Sequence, residues 1–314
     1  MHPHRVRMDL RLAALSLFAI TSCSSGVADS NEGPEAQVCG AAVSVRSLPP
    51  ELSEASGITR DPRRTDLFWL HNDSGNDAVL FAVDSTGEVV GQVAVEGTAS
   101  RDVEDIAVAR CPEGWCLYYG DIGDNMAVYE QIYVSRLPLP ELPANAGDPL
   151  PPVSPLASYT LVYPGGPRDA ETLFVDADRG ELGIVTKGRD GKVDLYVADL
   201  ETLETVDGPV TLKRVGGLDV PISADVTALW VTAGDLSPDG RRLAVRSYVS
   251  LYLFDWAGST AFDTLVTPVS AGLGAADEPQ GEGLTFALDG TRIYLASEGT
   301  AAGPAQLSRI DCLP

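Results

Sequence analysis

From Cys39 onward the chain alternates short apolar runs with turns built of Asp, Gly and Pro, and the alternation is itself periodic. Five openings match in register: "EASGI" closing at Ile58, "DVEDI" at Ile106, "DAETL" at Leu173, "TAGDL" at Leu236 and "QGEGL" at Leu284. Each runs into further apolar residues and a turn: "DPRRTD", "CPEGWC", "DADRGE", "SPDGRR" and "LDGTR". A second apolar run follows ("LFWLHN", "CLYYGD", "LGIVTK", "RLAVRSY", "RIYLASE"), then a loop and a third ("AVLFAVD", "QIYVSRL", "VDLYVADL", "SLYLFDW", "AQLSRID"). A fourth lies between repeats, most plainly in "EVVGQVAVEG" and "ASYTLVYPG". Short runs of this composition bounded by turn residues read as strands. Four antiparallel strands per repeat is the pattern of a β-propeller blade.

The closing residues are spaced by 48, 67, 63 and 48 positions. A blade needs roughly 40 residues, so the excess in the two long intervals is too small for a further blade. The first of them also carries the proline-rich insertion "LPLPELPANAGDPLPPVSP". The expected fold is therefore all-β, a single propeller over 39–314 with five blades, six being the alternative. The last repeat lacks a fourth strand, and "AAVSVRSL" near the start of the propeller supplies it, closing the ring and removing its unpaired edges.

What precedes the propeller has a different character. Arg5, Arg7 and Arg11 lead into the apolar run "LAALSLFAI" and end at "ITSC", a secretory leader over 1–22 that is too short for a stable membrane anchor. Cys23 stands where a bacterial lipobox places its lipidated cysteine. Residues 23–38 are small and polar, as a flexible tether is. The expectation is an exported protein held by a lipid at the cell surface or periplasmic face. In that oxidising compartment the other four cysteines pair. Three pairings exist for Cys39, Cys111, Cys116 and Cys312. Local closure across the "CPEGWC" turn favours Cys111 with Cys116, which leaves Cys39 with Cys312 at the two ends of the ring.

Charge changes the picture of partners. The formal net charge is −23, and loss of Arg5, Arg7, Arg11 and Asp9 with the leader takes it to about −25. Such an acidic surface argues against nucleic acid and anionic lipid, so membrane contact runs only through the lipid. A protein, a glycan or an anionic small molecule remains as the expected partner of a monomeric chain.

The repeat also aligns polar residues. The third position of the openings reads Ser56, Glu104, Glu171, Gly234 and Glu282, and the ends of the second strands read Asp73, Asp121, Lys187, Arg246 and Glu298. First strands line a propeller's channel, so these acids converge near its axis. Like charges held together call for a cation, a proton or a basic partner. Glu104, Asp121, Glu171, Glu282, Asp73 and Glu298 are the candidate metal ligands, and hard oxygen donors of this kind suit Ca²⁺. His71 is the sole histidine after the leader, which excludes a multi-histidine zinc site. Glu104, Glu171, Lys187, Arg246 and His71 are the candidates for any catalytic role. No Gly-x-Ser-x-Gly elbow occurs.

The segments "EASGI", "LFWLHNDSG", "DVEDIA", "LYYGDIGDN", "DAETL" and "QGEGL" resemble those of secreted bacterial propellers, similar in outline to the SdiA-regulated family and to phytase-like, esterase-like propellers. That resemblance implies a calcium-associated propeller and, further, a phosphoesterase. The expected function is a binding or scaffold module with an acidic, calcium-binding channel mouth. The alternative is a Ca²⁺-dependent hydrolase of esters or phosphoesters.

Overall fold

Strand β1 (Val43–Ser47) opens the propeller but belongs to its last sheet. The first blade is β2 (Ala55–Arg60), β3 (Leu67–Asn72), β4 (Val79–Asp84) and β5 (Val89–Ala94). The second is β6 (Val103–Cys111), β7 (Gly114–Asp121), β8 (Ile132–Pro138) and β9 (Ala157–Val162). The third holds β10 (Ala170–Asp176), β11 (Glu181–Thr186) and β12 (Asp194–Asp199); after β13 (Val210–Thr211), β14 (Lys213–Gly217) completes it. The fourth is β15 (Val231–Leu236), β16 (Arg242–Ser247), β17 (Ser250–Asp255) and β18 (Val269–Gly272). The fifth, β19 (Gln280–Phe286), β20 (Arg292–Glu298) and β21 (Gln306–Asp311), pairs its last strand antiparallel with β1. This computed structural model describes residues 39–98, 100–142, 150–260, 269–273 and 278–312. The leader and tether read from the sequence lie outside the described residues.

Five blades in a closed ring agree with the expectation, including closure by the N-terminal strand. First strands neighbour one another in the cycle β2, β6, β10, β15, β19 and back to β2. Consecutive strand residues point to opposite faces, so each blade feeds two cores. Phe68 packs toward the fifth blade against Tyr294, with ring centroids 4.4 Å apart, while the adjacent Trp69 joins Ile106 and Leu117 of the second. Leu173 and Phe174 divide in the same way between the second and fourth blades. Burial on both faces explains why these strands read as near-continuous apolar runs.

The two long intervals do one job. Leu142 and Leu150 of the proline-rich insertion join the core between the first two blades, and Val153 bridges in parallel to Val95 beside β5. In the next interval β13 pairs in parallel with β9. Each insertion covers the outer strand of the preceding blade, which would otherwise offer an open edge. Both expected disulfides are present, Cys39–Cys312 and Cys111–Cys116. The second removes the thiolates that Cys111 and Cys116 would need to hold a metal with nearby Glu113.

Polar pins join the first strands around the axis. Ser56 Oγ donates to the Glu104 carbonyl at 2.9 Å, and Thr232 Oγ1 to the Gly281 carbonyl at 2.8 Å. Asp105 accepts from the Leu173 amide at 2.8 Å and Asp235 from the Phe286 amide at 2.9 Å. Toward the end of the channel where the first strands finish, Arg60 reaches from the first blade to Asp235 and to the Leu236 carbonyl of the fourth. The acidic residues gather at the opposite end.

Candidate functional site: an acidic channel mouth

Every first strand is interrupted where it enters this mouth. The ladder skips between Ala55 and Ile58, Val103 and Asp105, Ala170 and Thr172, Val231 and Ala233, and Gly281 and Gly283. These are β-bulges, in which one extra residue re-aims its side chain. The skipped residues include Ser56, Glu104, Glu171, Thr232 and Glu282. The fourth blade therefore differs from the sequence alignment: its equivalent of the glutamates is Thr232, and Gly234 lies two residues further along the strand.

The second strands show the same kind of slip. Asn72, Asp121, Thr186, Ser247 and Ser297 pair with the residues just before the bulges. One residue on come Asp73, Ile122, Lys187, Tyr248 and Glu298. Asp73, Lys187 and Glu298 thus share a register with one another, whereas Asp121 falls one residue short and Arg246 two. A one-residue offset turns a strand side chain to the other face. Asp121 accordingly sits 1% exposed, accepting from the Asp102 amide at 3.0 Å and from Arg101 Nε at 3.3 Å. Arg246 is wholly buried, donating to Glu278 at 2.6 Å and to the Gly283 carbonyl at 3.2 Å. His71 shares the register of Arg246. Its Nδ1–H donates to the Asn72 carbonyl at 2.8 Å and its Nε2 accepts from the Gly57 amide at 3.2 Å. Burial pushes its pKa down to about 4, so the ring is neutral with both nitrogens engaged by backbone.

Two triads of carboxylates form the centre of the mouth. Asp73, Asp102 and Glu104 bring one oxygen each to within 4.8 Å of one another, and Glu104, Asp169 and Glu171 do the same. Glu104 belongs to both. Asp102 and Asp169 were not singled out from the sequence. The signal was available, because each stands two residues before a candidate glutamate, in "DVEDI" and "DAETL". Glu282 accepts from Tyr248 Oη at 3.2 Å and Gln280 Nε2 at 2.8 Å, and its Oε2 is buried without a hydrogen-bond partner. Glu298 accepts from the same Gln280 amide at 2.6 Å.

Basic groups offset only part of this charge. Lys187 Nζ pairs with Glu171, and Arg189 with Asp169. Burial alone would depress Lys187, but the Glu171 and Glu104 carboxylates overcome it and hold the ammonium charged. Desolvation, then the Glu171 charge, pushes Glu104 well above the usual carboxylate range. Desolvation raises Glu171 to about 8 against the pull of Lys187, and desolvation with the Glu282 charge raises Glu298 to about 8. Asp73, Asp102 and Glu282 move up for the same first reason. Carboxylates held this way take up either protons or a cation.

Gly123, from "YYGDIGDN", forms a wall of this centre. Its amide donates to the Asp102 carbonyl at 3.0 Å, and a Cβ there would stand 2.3 Å from Glu104 Oε1 and 2.7 Å from Asp102 Oδ2. The motif therefore serves the site through a close backbone approach, which only glycine permits, while Asp121 braces the strand end. Gly123→Ala is expected to force the triad apart at a cost of about 1–3 kcal/mol. Denaturant titration checks the stability, and the same variant should lose cation affinity. Unchanged stability would show that the carboxylates have room to move.

No protein-family model matches the chain, and no curated protein matches it.

Proposed function

We propose that this propeller is a binding module whose acidic mouth holds a divalent hard cation, Ca²⁺ by the chemistry of its donors, as an exported, lipid-anchored protein. The observation that carries the reading is the pair of carboxylate triads sharing Glu104. Seven acids (Asp73, Asp102, Glu104, Asp169, Glu171, Glu282 and Glu298) outnumber the cations that act on them, Lys187 and Arg189 through ion pairs and Arg246 through its charge on Glu282. All-oxygen donors of mixed geometry favour Ca²⁺ over Mg²⁺, which demands a tighter octahedron. Export and lipidation draw support from the leader, Cys23 and the two disulfides.

Calorimetric titration of chelator-treated protein with Ca²⁺ and Mg²⁺ tests it. One saturable Ca²⁺ site is expected, with weaker Mg²⁺ uptake, abolished by Glu104→Gln and by Asp102→Asn. No uptake of either ion at neutral pH would overturn the cation.

A second reading follows from Lys187 beside Glu171 and Glu104, next to the same triads. A cation and an ammonium together polarise an ester or phosphoester, with a raised carboxyl as proton donor. Cation-dependent turnover of p-nitrophenyl esters or phosphate monoesters, lost in Lys187→Met, would make the module an enzyme.

A further inference from the structure

At the end of the channel opposite the acidic mouth, where the first strands finish, lies a cavity of about 240 Å³. Every blade contributes to its wall, through Arg60, Trp115, Val175, Leu236 and Leu288 in turn. Arg60 crosses the channel here, from the first blade to Asp235 and the Leu236 carbonyl of the fourth. Two other polar groups of the wall are also engaged. Asp176 accepts from Arg179 Nη1 at 2.8 Å and from Trp256 Nε1 at 2.7 Å, and Ser237 Oγ donates to Asp239 at 2.6 Å.

Arg110 and Asp178 on the same wall differ. Both are exposed, and neither side chain has a hydrogen bond or ion pair among the described residues. Arg110 is nevertheless held in place. It pairs with Trp115 across β6 and β7, its Cζ stands 4.0 Å from the Trp115 ring centroid, and the Cys111–Cys116 bridge ties this end of the hairpin. A guanidinium over an aromatic ring is steadied by the ring's face without giving up its N–H donors. Donors fixed in this way match a carboxylate, which accepts two parallel hydrogen bonds from the fork. Little ordering cost is left for the ligand to meet.

The remaining wall is apolar, and a few polar groups on an apolar cavity is the usual make-up of a small-molecule site. An apolar cavity of about 150 Å³ admits benzene, so this one has room for a ring with a short chain. We propose that this cavity binds a small carboxylic acid with an apolar body, its carboxylate on Arg110 and its body among Trp115, Val175, Leu236 and Leu288. Asp178 opposes the anion and limits its affinity. The inference goes beyond the cation site and does not depend on it, because the carboxylate triads lie at the other end of the channel.

Saturation-transfer NMR titration of the mature chain in chelator tests it, with 3-phenylpropionate, its amide 3-phenylpropanamide, and acetate as probes. 3-Phenylpropionate should bind about ten-fold or more tightly than either of the others, since the amide lacks the charge and acetate the apolar body. Arg110→Met should weaken 3-phenylpropionate about ten-fold, and Asp178→Asn should tighten it about two-fold at low salt. Both side chains are exposed, so neither substitution threatens the fold. No transfer to 3-phenylpropionate would overturn the proposal. So would an amide or acetate that binds as tightly as the acid, or an Arg110→Met variant that binds like wild type. Glu104→Gln should leave this binding unchanged, which keeps the two sites distinguishable. Transfer without Ca²⁺ uptake would keep the acid site and remove the cation, and Ca²⁺ uptake without transfer would do the reverse.

Discussion

Lys187→Met should lower the unfolding free energy of metal-free protein by about 3–5 kcal/mol near pH 8, the cost of removing one partner from a buried ion pair. Lys187 is 6% exposed, and its partner Glu171 only 1%. Without the ammonium, Glu171 and Glu104 have no positive charge between them and must take up protons. The loss should shrink on acidification, and the sign follows from linkage. Carboxyls whose folded pKa lies above the unfolded value hold more protons in the folded state, so they stabilise it below the unfolded pKa. That stabilisation fades as pH rises through the folded one. For Glu171 the window runs from about 4.5 to about 8. Metal-free wild type should therefore lose stability across this window, and Lys187→Met should lose it more steeply. Saturating Ca²⁺ should flatten both curves, because binding to the folded state alone adds stability by mass action. Denaturant titrations across the window, with and without Ca²⁺, read all of this. A variant as stable as wild type near pH 8 would mean that the mouth is solvated enough to need no counter-charge.

Opening the ring should be as costly. Cys39 and Cys312 are separated by 273 positions, and their bridge fixes the seam where β1 joins β21. In the chain-entropy account a loop this long is worth about 5 kcal/mol, whereas the Cys111–Cys116 turn, separated by 5 positions, is worth about 2. Cys39→Ser/Cys312→Ser is expected to lower Tm by about 10 °C, and Cys111→Ser/Cys116→Ser by less than half of that. The seam is also where hydrogen exchange should accelerate first, at the amides of β1 and β21. Equal losses from the two double variants would show that strand pairing, not the covalent link, holds the ring shut.

The five openings and their turns favoured a closed propeller of five blades over six, because four-stranded blades repeat a period that burial on both faces enforces. They also assembled most of the mouth: Glu104, Glu171, Glu282, Asp73, Lys187 and Glu298 do share one end of the channel. What they did not reveal depends on single-residue geometry. Each first strand carries a bulge, and a bulge breaks the period-two rule from which facing is read. Thus Thr232 stands where the alignment set Gly234. Arg246 and His71 turn into the packing between blades, Asp121 braces the end of its own strand, and "YYGDIGDN" contributes Gly123, a residue without a side chain. Hydrophobic periodicity is a local property that the chain carries with it. Which carboxylates meet, which basic group reaches them and which buried atoms lack a partner depend on how five blades tilt around one axis, and that only the tertiary structure decided.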